Sequence, residues 1–350
     1  MSSFWLDKRV LVTGQTGFKG SWLCLWLEYL GAHVSAFALP PATEPSHYAL
    51  LSPWDKQRHT IVDLKDAKSV ANAVAAAQPE IVFHMAAQAL VRTSYREPLE
   101  TYAANVMGTA HVLDALRAVK ELKAAIVITT DKVYENDGRG HAFVEADRLG
   151  GKDPYSNSKA CAELVTQSFR DAFFQTGAKV VTARAGNVVG GGDWSADRLI
   201  PDVVRALVNG EPVALRYPQS VRPWQHVLEP LRGYMMLAER LCGQPEQVPA
   251  AFNFGPDHRS TITVAEVVSI LSKKLGMQQG WVPMPGDHPP EAATLSLDST
   301  LARVVLGWTP KLSMQDTIDW TAEWFSQWRE GVNPRELSLS QIRRYEALRS

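Results

Sequence analysis

The chain has 350 residues and carries 36 basic and 37 acidic side chains, so its net charge at neutral pH is −1, and without a basic block this balance argues against nucleic acid as a partner. Its most apolar early stretch, residues 22–27, is much shorter than the roughly 20 residues that cross a bilayer. There is no cleavable apolar segment at the N-terminus, and the three cysteines lack metal-ligand spacing, so we expect a cytoplasmic protein without a membrane partner or a bound metal.

Short β-rich runs alternate with helical patterns through the first half of the chain, which predicts right-handed βαβ units. The predicted strands lie near residues 9–13, 33–38, 60–62, 80–84, 124–130 and 179–184. The predicted helices between them lie near residues 20–30, 66–77, 99–118 and 154–176. The expected fold class is therefore α/β, a Rossmann-type doubly wound parallel sheet, in which ligands bind at the C-terminal ends of the strands.

A glycine-rich segment joins the first predicted strand to the first predicted helix. Its three glycines have the spacing that allows a tight turn, close approach of the backbone to a pyrophosphate, and tight helix packing. The phosphates would rest on the positive N-terminus of the helix. The sequence therefore predicts a dinucleotide site, with the candidate cofactor-binding residues Gly14, Gln15, Thr16, Gly17, Phe18, Lys19 and Gly20.

Further candidates for the dinucleotide follow the next strands. The second strand ends near Leu39 with neither an acid for a ribose diol nor an arginine for a 2′-phosphate, so these residues leave NAD and NADP both open. Asp63, followed by Leu64, can bond an adenine amino group or can be a solvated turn residue. Small residues after the fourth strand would let a cofactor lie against the sheet, although core packing explains them equally well. These residues are Ala86, Ala87 and Gln88.

Polar residues end the fifth predicted strand, where a parallel sheet binds its ligands. Thr130, Asp131 and Lys132 stand there in sequence. The helix predicted at 154–176 begins with Tyr155 and Lys159, which lie four residues apart and therefore share one helix face. A tyrosine is a poor base at neutral pH unless a fixed positive charge stabilises its phenolate, and Lys159 would supply that charge.

After residue 185 the pattern changes to that of a smaller α/β lobe. Short strands are predicted near 211–216 and 221–227, and helices from Ile200 onwards and near 228–243, 264–276 and 314–329. We predict that residues 1–185 form a dinucleotide-binding domain with the catalytic residues. Residues 186–350 would form mainly a substrate-binding lobe, with the chain free to cross back, and residues 334–348 a mostly polar helix.

The motifs taken together resemble the extended short-chain dehydrogenase/reductase family. The motifs are the glycine triplet, residues 84–88, residues 105–109, Thr130-Asp131 and the Tyr155-Lys159 pair. Within that family the chain is similar to nucleotide-sugar 4,6-dehydratases over residues 5 to about 330. The similarity is carried by residues 130–136, 152–156, 184–194, 197–202 and 222–227. Lys132 is the most specific match, because related dTDP- and GDP-sugar dehydratases carry glutamate there, whereas residues 288–292 match the family only loosely.

The resemblance implies the cofactor, the assembly and the pathway. The cofactor would be NAD, with Asn105, Tyr155 and Lys159 among its contacts. The assembly would be a homodimer or a higher homo-oligomer, formed through the helices near 99–118 and 154–176. The product would enter deoxysugar synthesis, as in lipopolysaccharide O-antigen.

The resemblance also implies a reaction on CDP-linked glucose: oxidation at C4, loss of water across C5 and C6, and return of the hydride to C6. Tyr155 would take the C4 hydroxyl proton, and Thr130 would orient that hydroxyl. Asp131 would protonate the departing C6 hydroxyl, which requires a carboxyl held protonated by burial or by a neighbouring carboxylate. Lys132 would remove the C5 proton, which requires a neutral amine; its alternative role is that of a surface lysine.

The candidate substrate-binding residues lie in the second half of the chain. Guanidinium groups suit bidentate contact with a diphosphate, whereas the aromatic candidates and His226 can equally be structural. Nothing physical in these residues selects cytosine over another base. The candidates are Asn187, Arg198, Leu199, Arg222, Trp224 and His226.

Two other functions share part of this pattern. A nucleotide-sugar 4-epimerase would use Tyr155, Lys159 and Thr130 but has no need of an acid and a base at C5 and C6, so Asp131 and Lys132 argue against it. A non-catalytic dinucleotide sensor would have no use for the intact tyrosine-lysine pair.

Overall fold

The structure is a computed structural model that describes residues 3–138, 140–256, 262–277, 280–286 and 295–348. The loosely matching segment at 288–292 lies outside these residues. Among the described helices, none combines the length and apolarity that a membrane span requires.

The order of elements alternates strands and helices. The strands are β1 (Arg9–Thr13), β2 (His33–Ala38), β3 (His59–Ile61), β4 (Ile81–His84), β5 (Ala124–Ile128), β6 (Ala142–Phe143), β7 (Lys179–Ala185), β8 (Val188–Val189), β9 (Val213–Leu215), β10 (Gln225–His226), β11 (Ala251–Phe254), β12 (Trp281–Pro283) and β13 (Ser296–Leu297). The helices are α1 (Phe18–Tyr29), α2 (His47–Leu50), α3 (Ala67–Ala77), α4 (Val91–Arg96), α5 (Pro98–Tyr102), α6 (Gly108–Leu116), α7 (Pro154–Phe173), α8 (Leu199–Asn209), α9 (Leu228–Gly243), α10 (Val264–Lys274), α11 (Thr300–Leu306), α12 (Met314–Arg329) and α13 (Pro334–Ala347).

A seven-stranded sheet in the order β11-β7-β5-β4-β1-β2-β3 forms the centre of the fold. Every pairing in it is parallel. Alternate residues of one strand point to opposite faces, so Val10 and Val12 enter one hydrophobic core and Leu11 enters the other. Helices cover both faces, and the predicted α/β doubly wound class is confirmed.

The chain crosses back to the sheet after residue 186. Strand β11 pairs with β7 at the edge, with Asn253 opposite Arg184, although no strand was predicted there. Four residues are too short a run to separate a buried strand from a piece of helix by pattern. The remaining second-half strands form two-stranded pairs, β10 with β8, β12 with β9 and β13 with β6.

Two predicted elements differ in the structure. The helix expected at 99–118 is divided into α5, a π-helical turn at Ala103–Met107, and α6. In the wide turn the side chain of Asn105 bonds the backbone of Gln88 at both its N–H (2.8 Å) and its carbonyl (3.0 Å), which fixes the loop after β4. The strand expected at 221–227 is reduced to β10, because Pro223 has no N–H to pair.

The helix predicted at 334–348 is present as α13 and packs on α1. The indole of Trp26 donates to Glu346 at 2.9 Å, and the ring of Tyr345 meets it edge-on. His47 connects the two helices, bonding Ser21 at 2.8 Å and Ser338 at 3.0 Å. The segment that follows the glycine turn is therefore held by residues more than 300 positions later.

A buried ion pair joins α7 to the sheet. The guanidinium of Arg184 binds the carboxylate of Glu163 twice, at 2.9 and 2.8 Å, and both side chains are 4% exposed. The carboxylate also accepts from Thr129 (2.5 Å) and Thr182 (2.7 Å). Burial would raise the pKa of Glu163, but the bonds and charge of Arg184 outweigh it and hold the pKa below its usual value.

We expect Glu163→Gln to lower the free energy of unfolding by about 3 kcal/mol at neutral pH, because it leaves the guanidinium of Arg184 buried without a counter-charge. Urea denaturation at neutral pH measures this. The matched control is Glu323→Gln, which removes an exposed pair with Arg344 and should cost less than about 1 kcal/mol.

The two variants should also differ in pH dependence. A depressed pKa contributes stability above the unfolded-state pKa, and this contribution is lost as the pH falls through the folded pKa. The stability difference between wild type and Glu163→Gln should therefore shrink in acid. Equal losses for the Glu163 and Glu323 variants would contradict the assignment.

Candidate active site

The polar residues after β5 form one short turn. Thr130 caps a 3₁₀ helix at Asp131–Val133, accepting from the N–H of Lys132 at 3.4 Å. The same hydroxyl donates to Oδ1 of Asp131 at 2.9 Å. The turn thereby holds a hydroxyl, a carboxyl and an amine at the C-terminal end of the central strand.

Asp131 is held in an environment that favours its protonated form. Its side chain is buried, and its Oδ2 has no hydrogen-bond partner in the part of the chain that the structure describes. Burial raises the pKa of this carboxyl, although the charges of Lys132 and Arg222 and the bond from Thr130 oppose the rise. A carboxyl of this kind can act as a proton donor.

Tyr155 and Lys159 lie on the first turns of α7. The helix begins there because Asp153 accepts from the N–H of Ser156 at 2.9 Å and Pro154 occupies the first turn. Lys159 donates from Nζ to the carbonyl of Ile128, at the end of β5, at 2.8 Å. The predicted residues of the β5 turn and of α7 therefore meet at one end of the sheet.

Burial sets the charge of this pair. It raises the pKa of Tyr155 to about 12, although the hydrogen bond between Tyr155 and Thr130 and the charge of Arg198 oppose the rise. It lowers the pKa of Lys159 to about 8, against the raising effect of Glu163. Tyr155 is therefore protonated at neutral pH in the protein alone, and phenolate formation requires additional positive charge close by.

The glycine turn fits a dinucleotide. Gly14 has φ +85°, and a Cβ there would lie 2.7 Å from the N of Ala86. A Cβ on Gly20 would lie 2.1 Å from the carbonyl oxygen of Gly14, so no larger residue fits either position. Helix α1 begins just after Gly17 with no side-chain cap, so no cap side chain satisfies the amides of its first turn, and a pyrophosphate would be bound by them.

Two residues of this segment point away from the helix N-terminus. Gln15 is buried and donates to the carbonyl of Thr60 in β3 at 3.2 Å, and its Oε1 has no partner among the described residues. Thr16 donates to the carbonyl of Leu39 at 2.9 Å. Their side chains join the turn to the ends of β2 and β3.

The side chain of Lys19 lies close enough to Lys159 and Asp131 to interact with them electrostatically. The glycine motif did not indicate this. Burial, together with the charges of Arg198 and Lys159, lowers the pKa of Lys19 to about 7, against the raising effect of Asp131. Its Nζ lies 5.8 Å from the ring centre of Tyr234, a buried residue of α9 that the sequence analysis missed. No motif surrounds Tyr234 in the sequence.

The other cofactor candidates line or support the same end of the sheet. Ala86 contacts the glycine turn, and Asn105 holds Gln88 and bonds Ser158 of α7 at 2.9 Å. Asp63 accepts from the N–H of Lys65 at 2.9 Å, which is a turn contact, and Leu64 packs on Gly108. Ala87 is half-buried in the loop after β4.

The substrate candidates divide into two groups. Arg198 and Arg222 lie close enough to the site for their charges to affect Tyr155 and Asp131 respectively. His226 instead has no exposed surface, packs between Trp22 and Trp320, and has its pKa lowered to about 3 by burial. Trp224 is also buried, while Asn187, whose carbonyl accepts from Gln225, and Leu199 at the start of α8 are half-buried.

The chain is similar to known 4,6-dehydratases along nearly its whole length. Residues 11–321 match the family model of GDP-mannose 4,6 dehydratase. The chain is 44% identical to a CDP-glucose 4,6-dehydratase of Salmonella typhimurium, over 98% of this chain and 97% of that one. It is 30% identical to a dTDP-glucose 4,6-dehydratase of Streptomyces griseus, over 94% and 97%.

Solved structures show the same fold. An epimerase of Methanothermobacter thermautotrophicus superposes with a TM-score of 0.80 at 24% identity, covering 94% of this chain and 95% of that one. MoeE5, in complex with UDP-glucuronic acid and NAD, gives 0.75 at 25% identity, covering 92% and 99%. On the strength of the family match and the 44% identity, the chain belongs to the GDP-mannose 4,6 dehydratase family and is a hydro-lyase of the 4,6-dehydratase type.

Proposed function

We propose that the protein converts CDP-D-glucose to CDP-4-dehydro-6-deoxy-D-glucose and water, with NAD as its resident cofactor. The observation that carries this proposal is the meeting of the Thr130–Lys132 turn with Tyr155 and Lys159 at the end of β5. The choice of cytosine is supported by the 44% identity to the Salmonella enzyme.

NAD is supported by the glycine turn, where a Cβ on Gly14 or Gly20 would strike backbone atoms. MoeE5, at 25% identity, was solved with NAD. The candidates Gly14 to Gly20 and Ala86 to Gln88, together with Lys159, would hold the cofactor. When bound, NAD supplies the acceptor for the C4 hydride and returns the hydride to C6, and its oxidised ring adds the positive charge that Tyr155 requires.

The side chains of the site supply the proton transfers. Tyr155, aided by Thr130, takes the C4 hydroxyl proton as the alcohol becomes a ketone. The ketone makes the C5 proton acidic, and Lys132 removes it. The C6–O bond then breaks, and the hydroxyl leaves as water with the proton of Asp131, whose pKa burial has raised. A C5–C6 double bond remains, and Lys132 returns its proton to C5 when C6 is reduced.

The 4-epimerase is the second candidate. The solved epimerase shares the fold, but at 24% identity it supports no more than that. An epimerase has no use for a buried acid such as Asp131 beside an amine, which favours the dehydratase. A non-catalytic sensor would not require the bond from Lys159 to the end of β5.

We propose a homodimer formed through α5, α6 and α7, the helices of segments 99–118 and 154–176. Helices α5 and α7 pack together and expose large apolar side chains, with Leu99 82% and Leu164 54% exposed. Exposed apolar side chains on neighbouring helices are typical of an interface.

A cytoplasmic location and a role in O-antigen synthesis remain predictions. The first is supported by Cys24, Cys161 and Cys242, which are free thiols. The division of the chain at residue 185 also remains a prediction.

The function is tested by incubating the purified protein with CDP-glucose and assaying a 4-keto-6-deoxy product. We expect turnover without net NADH release, and Tyr155→Phe to lower turnover by about 10³-fold with NAD affinity and folding retained. Stoichiometric NADH release would identify an ordinary dehydrogenase. A preference for UDP-, GDP- or dTDP-glucose would overturn the assignment of cytosine as the nucleobase of the substrate.

Lys132→Ala should oxidise C4 but stall before elimination, because the C5 proton is no longer removed. In a single turnover, enzyme-bound NADH should accumulate with little product, whereas wild type run in deuterated water should place solvent deuterium at C5. Lys132→Glu installs the residue of the related dehydratases and should recover part of the activity. An unchanged elimination rate in Lys132→Ala would remove this residue from the mechanism.

Leu164→Glu should convert the dimer to a monomer, because it places a charge in the proposed interface. Light scattering at low micromolar concentration measures the mass. The control is Val304→Glu, because Val304 is 77% exposed on α11, outside the proposed interface. This variant should stay dimeric. A monomeric wild type would contradict the proposal.

A further inference from the structure

Helix α4 contacts both the catalytic helix and the loop that precedes α8. Ser94 accepts from the backbone N–H of Tyr155 at 3.0 Å. Two residues earlier, Arg92 donates from Nη1 to Oδ1 of Asp197 at 2.8 Å. One short helix thus bridges the residue that takes the C4 proton and the loop that carries the candidate Arg198.

The loop at 190–198 is fixed at its start by packing. The carbonyl of Gly191 accepts from the indole of Trp22 at 3.0 Å. A Cβ on Gly191 would lie 2.0 Å from the ring of Trp324, so the backbone there is pressed against α12. The start of the loop therefore belongs to the core, and its position does not depend on α4.

The end of the loop has a different support. Asp197 adopts φ +58°, a left-handed conformation that non-glycine residues adopt at a cost, least for Asp and Asn. Its carboxylate is the acceptor for Arg92. The next residue, Arg198, caps the start of α8, and its Nη1 lies 3.5 Å from the buried carboxylate of Asp193. The turn at Asp197 thus sets the direction in which Arg198 leaves the backbone.

We propose that Arg92 is a positioning residue for substrate binding: its ion pair with Asp197 fixes the turn that directs the Arg198 guanidinium to the diphosphate of the nucleotide sugar. This inference rests on the proposed function. The guanidinium of Arg198 lies close enough to Tyr155 and Lys19 for its charge to lower their pKa values. Arg92 itself is engaged by Asp197 and acts through it.

The test is a double-mutant cycle of Arg92→Ala and Asp197→Gly, in which glycine removes the carboxylate but accepts the positive φ. We expect each single variant to raise the KM for CDP-glucose about tenfold, equal to about 1.4 kcal/mol, with kcat within about twofold. The double variant should be no worse than either single variant. Arg92→Lys, which keeps the charge, should recover part of the loss.

Folding and cofactor binding should be unaffected. The paired side chains are 39% and 31% exposed, so their contribution to stability is small, and the melting temperature should change by less than about 3 °C. NAD affinity should match wild type. The control is Arg96→Ala, on the same helix, because the Arg96 side chain donates to the hydroxyl of Thr93, one turn earlier on α4.

The outcomes separate the two proposals. Wild type that dehydrates no CDP-glucose overturns the proposed function, and the cycle is then scored on the nucleotide sugar that the wild type does bind. An active wild type with an unchanged KM in Arg92→Ala, or with additive effects in the double variant, overturns only the role of Arg92. A loss in kcat with KM unchanged would also overturn it.

Discussion

The Glu163–Arg184 pair is the interaction on which the arrangement of the site depends. Glu163 lies one helical turn after Lys159 and joins α7 to the residue after β5, Thr129, and to β7 through Thr182. Arg184 also donates to the hydroxyl of Tyr134 at 2.7 Å, which in turn donates to Asn253 of β11. Asn253 bonds the carbonyls of Phe143 and Asp298, so the network extends into the second half of the chain. A buried charge pair is favourable only when every member is satisfied in this way.

Burial determines the protonation states of the site more than any single charge does. It favours the neutral form of each group, so it raises the pKa values of Tyr155 and Asp131 and lowers those of Lys159 and Lys19. In the protein alone Tyr155 therefore keeps its proton, and the carboxyl of Asp131 is shifted toward its protonated form. Several cationic side chains converge here, so the site is prepared for a ligand that brings negative charge, as a diphosphate does.

The sequence predicted the features that local pattern determines. The strands β1, β2 and β4, the glycine turn and the Tyr155–Lys159 spacing all follow from short-range periodicity or from fixed spacing. The features it missed depend on contacts between distant segments. Strand β11 forms by pairing with β7, where Asn253 lies opposite Arg184. His226 lies in the core because two tryptophans from distant helices enclose it. The bridge from Arg92 to Asp197 spans 105 positions, and no pattern in the sequence pairs the two residues.

The contact between α1 and α13 has a consequence for synthesis of the chain. Trp26 receives its partner Glu346 from a position 320 residues later. At about 5–20 residues per second, a ribosome leaves the apolar surface of α1 without its final cover for some tens of seconds. The strands of the central sheet have all been synthesised before that time ends, but α1 receives its cover only once α13 has been made. Nascent chains that stop before α13 expose this tryptophan face, and we expect chaperones to bind them there.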